Sequence, residues 1–350
     1  MGLFARTQED GHEQVVFFND PAVGLKAIIA VHSTAAGPAI GGCRMWPYAS
    51  EEEALEDVLR LSKGMTYKNI SMGLAAGGAK AVIIGDPKKD KTPELMKAFG
   101  RCVERMGGIY YTGEDVGMTP DDMAAVRTVT RYVVGLRETS GDPSPVTAYG
   151  VFMGMRACLR EAFGDESFEG RTVAVQGAGN VGYHLLKRLH GAGARLYVTD
   201  IDSERVERAV AETGATPVEP DAIYDLDCDI FAPCALGGII NEKTIDRLRC
   251  RIVAGSANNQ LADETMGDAL MERGILYAPD YVINGGGVIN VYEELMPGGY
   301  DRERALAKVA TIYDKIAGIF AAAKRWGVAT NRAANRLAEE RLAELTAKTV

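Results

Sequence analysis

The stretch TVAVQGAGNVGYHLLKRL, residues 172–189, constrains this chain more than any other. A β-favouring run meets Gly177-Ala178-Gly179-Asn180-Val181-Gly182, and an amphipathic helix pattern follows at once. Glycines in that spacing permit a tight strand-to-helix turn and close approach of a ligand to the backbone. The helix N-terminus then offers amide donors and partial positive charge to a pyrophosphate. The next strand, RLYVTD, ends in Asp200, a carboxylate placed to take ribose hydroxyls and to repel a 2′-phosphate. A bare GxGxxG also occurs in plain turns; here the complete strand-helix-strand context selects a dinucleotide, and Asp200 favours NAD over NADP. CDIFAPC, CRIVAGS and GILYAPD continue the parallel pattern.

At 350 residues the chain is long enough for two domains, and SGDPSPV, with Pro143 and Pro145, marks the break. Before it, QVVFFND, LKAIIAVH and AGPAIGGCRMW read as strands. SEEEALEDVLRLSKGMTYKN reads as a helix capped by Ser50 with Glu53 three residues on, which puts Lys68 near its end. Thr92-Pro93 and Thr119-Pro120 open two further helices. The expected fold is α/β with two domains, an α/β lobe and a Rossmann-like doubly wound domain, with a cleft between them.

A net charge of −9 and a pI near 5.2 argue against a nucleic-acid partner. No signal-peptide core and no run approaching ~20 apolar residues is present, so no membrane span is expected and the cytoplasm is the default location. Six cysteines lack CxxC spacing and four histidines form no ligand cluster, so no metal is expected.

AAGGAKAVIIG, residues 75–85, raises the chemical question, since it sets Lys80 at the mouth of an aliphatic strand. Most lysines snorkel to water. Glycines deny Lys80 cover on one side and AVII offers low dielectric on the other, which could draw an amine from ~10.4 towards the ~7 to 8 of a general base. Lys68 is a candidate neighbouring cation that would also hold a substrate carboxylate. Asp115 ends a strand, where it could accept from a substrate ammonium or serve only as a turn residue. An NAD domain joined to an amine base suggests a dehydrogenase of a small zwitterion or keto acid. A hydroxy-acid dehydrogenase would want a His/carboxylate pair, and the histidines lie outside these motifs. A catalytically silent NAD-binding regulator is the alternative of a different class, opposed by the presence of Lys68, Lys80 and Asp115.

The segments GGCRMW, KGMTYKN, GGAKAVIIGDP, GEDVGMTPDDM, PSPVTAYGV, VAVQGAGNVGYHL, IFAPCALGG, AGSANNQL and APDYVINGGGVIN occur in this order. Together they resemble the glutamate, leucine, valine and phenylalanine dehydrogenases, most closely the leucine/phenylalanine branch. The resemblance implies reversible NAD-dependent deamination of an apolar L-amino acid to a 2-oxo acid and ammonia. Leucine and its branched relatives are favoured, with phenylalanine or tryptophan as the alternative. It implies Lys80 as the base that activates water, Asp115 as the acid assisting proton transfer, Lys68 with Gly41 and Gly42 at the substrate carboxylate, and Asn259 near the substrate. Thr147 and Asn258 would serve the coenzyme, and Ile40, Gly113, Val288 and Val291 would line the side-chain pocket. Gly113 enlarges that pocket. Ala79, where relatives often carry glycine, would add a methyl beside the amine. The family architecture implies a homo-oligomer, with residues 1–140 and the helix 330–350 in the substrate lobe and 141–329 in the NAD domain.

Overall fold

Strand and helix alternate from Gln14 onward in the computed structural model, which describes residues 2–349. Two units divide the chain. The first holds residues up to Asp142, Val291–Tyr300 and the tail from Ala338; the second holds Pro143–Asn290 and Asp301–Leu337.

In the first unit, α1 (Leu3–Asp10) precedes β1 (Gln14–Asp20), β2 (Leu25–Ser33) and β3 (Ala39–Trp46). Next come α2 (Glu51–Ser71), β4 (Gly77–Ile84), α3 (Pro93–Arg105), β5 (Tyr110–Glu114) and α4 (Pro120–Arg127). The sheet runs β1-β2-β4-β3-β5, with β3, β4 and β5 mutually parallel and β1 and β2 pairing antiparallel. Side-chain alternation sorts β4 between two cores. Ala79, Ala81 and Ile83 join Ile29, Phe99 and Tyr110, while Val82 faces Ile28 and the α2 residues Leu55 and Val58. The helix starts follow the capping chemistry of the sequence. Ser50 accepts from the Glu53 N–H at 3.1 Å, though Glu53 reaches back to the N–H of Ala49 instead of Ser50. Thr92 and Thr119 cap α3 and α4.

In the second unit, α5 (Ser144–Phe163), β6 (Thr172–Gln176), α6 (Asn180–Gly191), β7 (Arg195–Thr199), α7 (Ser203–Thr213) and β8 (Thr216–Pro217) lead to β9 (Ile230–Pro233) and β10 (Ile252–Val253). There follow α8 (Thr265–Glu272), β11 (Leu276–Tyr277), α9 (Asp280–Ile283), α10 (Gly286–Tyr292), α11 (Arg302–Ala310), α12 (Ile312–Trp326) and α13 (Thr330–Thr349), of which the last two residues of α10 and the part of α13 from Ala338 belong to the first unit. All six strands are parallel in the order β11-β10-β9-β6-β7-β8. The winding reverses between β6 and β9, the position at which doubly wound sheets bind ligands.

The structure holds elements that the sequence does not announce. Helix α1 has no buried residue to announce it, and β8 is two residues long. The first unit takes in Val291–Tyr300 and the chain from Ala338 as well as the residues up to Asp142. Glu294 accepts the N–H of Gly135 at 3.1 Å, which ties 291–300 to the first unit. Tyr67 donates to Glu339 at 2.9 Å, holding the end of α13 there too. The earlier turns of α13 stay with the second unit, where Thr330 donates to the Tyr277 carbonyl at 2.7 Å and Arg332 pairs with Asp268 at 2.6 Å.

The carboxyl end of α1 is fastened through His32, whose Nε2–H donates to the Asp10 carbonyl at 3.0 Å and whose Nδ1 then accepts from the Thr66 hydroxyl at 2.9 Å. Burial, with His12 stacked edge-on at 4.9 Å, lowers His32 from 6.5 to about 4; Lys63 adds to this and Asp10 opposes it. Between those values the unfolded chain binds a proton that the folded chain refuses, so the stability held by neutral His32 is full above 6.5 and is lost as pH falls towards 4. The urea midpoint should therefore drop between pH 7 and pH 5, and the drop should shrink in His32→Gln.

Candidate active site

Lys80 stands within β4 with 7% of its surface exposed, on the face turned towards α2. Its Nζ lies 3.0 Å from Asp115 Oδ2, just past the end of β5. The same oxygen accepts from Arg44 Nε at 3.1 Å. Arg44 is itself held by Asp57 at 2.9 Å, and Asp57 also takes the Tyr48 hydroxyl and Arg60, each at 2.7 Å. Burial pushes the Asp115 carboxyl up, but the Lys80 ammonium and the Arg44 guanidinium outweigh it and hold the group below the usual carboxylate range. The charge in direct contact with Lys80 is thus a carboxylate. Lys68 sits half-buried in the last turn of α2.

Glycines bring backbone to backbone around this pair. A Cβ on Gly78 would meet the Thr66 amide of α2 at 2.1 Å, and one on Gly41 would meet the Ala79 carbonyl at 1.7 Å. One on Gly42 would stand 2.5 Å from the Glu114 carbonyl. Asn69, fully buried, donates to the carbonyls of Gly77 at 2.6 Å and Ile40 at 3.3 Å, pinning α2 to both strands. The Ala79 methyl does not flank the amine: alternation turns it to the opposite face, where it packs in the core with Ile83 and Phe99.

Gly113 pairs with Gly42, and a Cβ there would lie 3.3 Å from the Val134 carbonyl. Val134 bounds this spot, and nothing in its local sequence announces that. Val291 Cγ1 comes within 3.4 Å of where a Gly135 side chain would begin. The Glu294 carboxylate, accepting from the Gly135 N–H and the Ser140 hydroxyl, fixes that loop. Ile40 is buried on β3; Val288 and Val291 stand three residues apart on α10, both half-buried.

In the second unit Gly177 adopts φ +104°, a left-handed conformation open to glycine, and a Cβ on Gly182 would strike the Gly177 carbonyl at 2.0 Å. Gly179 is the N-cap of α6 and has no side chain to cap it; within 4 Å of its missing Cβ lies only Arg205 Nη1, at 3.8 Å. Ala178 is buried, Val181 half-buried and Asn180 exposed at the first helical position. Asp200 accepts the Ala178 N–H at 2.7 Å and that of Asp202 at 3.0 Å. An uncapped helix end over a bare glycine turn, at the switch point of the sheet, fits the pyrophosphate of a dinucleotide. Thr147 donates to the Pro143 carbonyl at 3.0 Å in the first turn of α5, which Gly286 and Gly287 approach. Asn258 Oδ1 accepts from Asn284 Nδ2 at 2.8 Å. Asn259, at φ 51°, is the one left-handed non-glycine among the described residues.

Residues 12–132 match the profile described as Glu/Leu/Phe/Val dehydrogenase, dimerisation domain. Residues 140–206 and 198–349 match that of Glutamate/Leucine/Phenylalanine/Valine dehydrogenase. The chain belongs to the Glu/Leu/Phe/Val dehydrogenase family. Within it, leucine dehydrogenase of Thermoactinomyces intermedius is 58% identical over 352 residues, covering 100% of this chain and 95% of the relative. L-tryptophan dehydrogenase of Nostoc punctiforme is 50% identical over 343 residues, covering 98% and 96%. A crystal structure of L-tryptophan dehydrogenase from the same organism superimposes with a TM-score of 0.87 at 48% identity, over 99% of this chain and 100% of that one. This Glu/Leu/Phe/Val dehydrogenase is an amino-acid dehydrogenase of the leucine dehydrogenase branch, and its coenzyme is a nicotinamide dinucleotide. Among the described residues no helix is long and apolar enough to cross a membrane, and no three His, Cys, Asp or Glu side chains group as for a metal ion.

Because a methyl at Gly182 would displace the Gly177 carbonyl, Gly182→Ala should weaken NADH binding at least tenfold in a fluorescence titration. Unchanged affinity would remove this turn from the coenzyme site.

Proposed function

We propose that the chain is an NAD-dependent dehydrogenase of leucine and related branched-chain amino acids, in which Lys80 and Asp115 handle the protons. The observation that carries this reading is a buried amine 3.0 Å from a carboxylate that is held anionic by a second cation. Lys68 and the backbone of Gly41 and Gly42 hold the substrate carboxylate. Asp115 takes the proton that the α-ammonium must lose before oxidation. Bound NAD supplies the acceptor for the hydride of the α-carbon. Lys80 then takes a proton from water as it adds to the imino carbon, Asp115 returns its proton to the nitrogen, and as the C–N bond breaks the hydroxyl proton passes to the freed Asp115 carboxylate, so that ammonia leaves and a 2-oxo acid remains. Asn259 serves the substrate side, and Thr147 and Asn258 serve the nicotinamide side. NAD is favoured over NADP because the Asp200 carboxylate, tied to the Ala178 amide, would repel a 2′-phosphate.

An uncharged side chain suits the apolar Ile40, Val134, Val288 and Val291, and the 58% identity to a leucine dehydrogenase supports the branched-chain choice. A second reading, phenylalanine or tryptophan, draws on Gly113, which leaves room beside Val134, and on the 50% identity to a tryptophan dehydrogenase. Self-association is proposed as well, on the match of residues 12–132 to a dimerisation domain.

Absorbance at 340 nm with Leu, Val, Ile, Phe and Trp at alkaline pH, with NAD and with NADP, tests the assignment; silence with every pair would end it. Lys80→Ala should lower kcat by at least about 100-fold, the lower end of what a general base contributes. Gly113→Ala presses a methyl against the Val134 carbonyl at 3.3 Å. It should raise the Leu-to-Phe ratio of kcat/KM by about tenfold, the scale of one methyl in an apolar pocket.

A further inference from the structure

Asp115 is served by two cations from two strands, and the mechanism above uses one of them. Lys80 reaches it from β4 at 3.0 Å; Arg44 reaches the same oxygen from β3 at 3.1 Å. Arg44 cannot be deprotonated, and its far end is gripped at 2.9 Å by Asp57, which α2 supplies. Asp57 is in turn held by the Tyr48 hydroxyl and by Arg60, so the line of charge runs from the buried amine to the surface of α2. The Cys43 thiol on β3, the Tyr110 phenol on β5 and the Tyr48 phenol also feel the Asp115 charge, and burial pushes all three up, so they stay neutral. Its own loop contributes the Val116 N–H.

We infer that Arg44 is a positioning residue: anchored from behind by Asp57, it clamps the Asp115 carboxylate beside Lys80 and keeps it anionic and fixed in direction. This rests on the reading of Asp115 as the proton-carrying acid. A carboxylate facing Lys80 alone could pivot about that single contact and share its proton with the amine. With the Arg44 Nε–H on the same oxygen, Oδ2 is held from two directions, and the carboxylate cannot turn about either contact without breaking the other. Lys80, too, no longer faces an unshared carboxylate. Asp57 contributes without approaching the reacting groups, by preventing the guanidinium from swinging away.

The acid limb of the kcat/KM profile against pH tests this, because a purely structural role would lower the profile without moving it. Arg44→Gln should move that limb up by about one pH unit, the scale of losing one adjacent charge. Arg44→Lys should restore part of the shift, and Asp57→Asn, which keeps Arg44 but frees its far end, should move the limb in the same direction by less. Should Arg44→Gln fail to fold, Asp57→Asn and Arg44→Lys decide the matter between them. An unmoved limb in the folded variants, with Asp115→Asn moving it, overturns the role of Arg44 and spares that of Asp115. Because Lys80 must be neutral to act as a base and so contributes an acid limb of its own, the deciding outcome is the limb's position: a limb that stays at the parent position in Asp115→Asn overturns the reading of Asp115 and this inference with it.

Discussion

Everything in the first unit accommodates one fact: an ammonium lies inside a sheet. A buried charge left alone is untenable, and removing the partner of a buried ion costs about 3 to 5 kcal/mol. Opposite charges 4 Å apart near a protein surface attract by about 4 kcal/mol, enough to offset part of the desolvation but no more. The molecule answers with an alternating series, Lys80, Asp115, Arg44, Asp57 and Arg60, in which each interior charge touches two of opposite sign. Such a series is stable as a whole and costly to interrupt, which gives the amine a defined direction.

Space for that series comes from the absence of side chains elsewhere. Helix α2 rests on the sheet at the distance of backbone contact because Gly78 faces Thr66, and Asn69 stitches helix to strands through two carbonyls. The same principle recurs in the second unit. Gly182 lets α6 approach the carbonyl of Gly177, and Gly286 and Gly287 let α10 begin against the first turn of α5. Both the charged cluster and the phosphate cradle are thus bounded by main chain, whose position fluctuates less than that of long side chains and which offers fixed dipoles to a ligand.

Local signals were readable in the sequence where the physics is local. The glycine turn, the change of period from β6 to α6, the threonine caps and a cation in an aliphatic run all lie within a few residues of what they determine. Asp115 and Lys80 could be nominated singly, one at a strand end and the other within a strand. Their contact could not, since it depends on β3 lying between β4 and β5. Arg44 carries no local signal for the same reason, its partner being 71 positions away. Adjacency of Ala79 to Lys80 in sequence does not make them neighbours in space, because a strand separates successive side chains onto opposite faces. Val134 and Glu294 have no periodic or compositional mark at all; only packing reveals them. Helix α1 offers no apolar stripe and β8 is too short to carry one.

The first unit is assembled from three separate lengths of chain. On the ribosome its sheet is synthesised first, yet Glu294, which holds the Gly135 loop, and Glu339, which meets Tyr67, follow only after the second unit's strands have been made. Vectorial synthesis therefore delivers the amino-terminal sheet in an unfinished form, and its last contacts close only after the strands of the second unit have emerged.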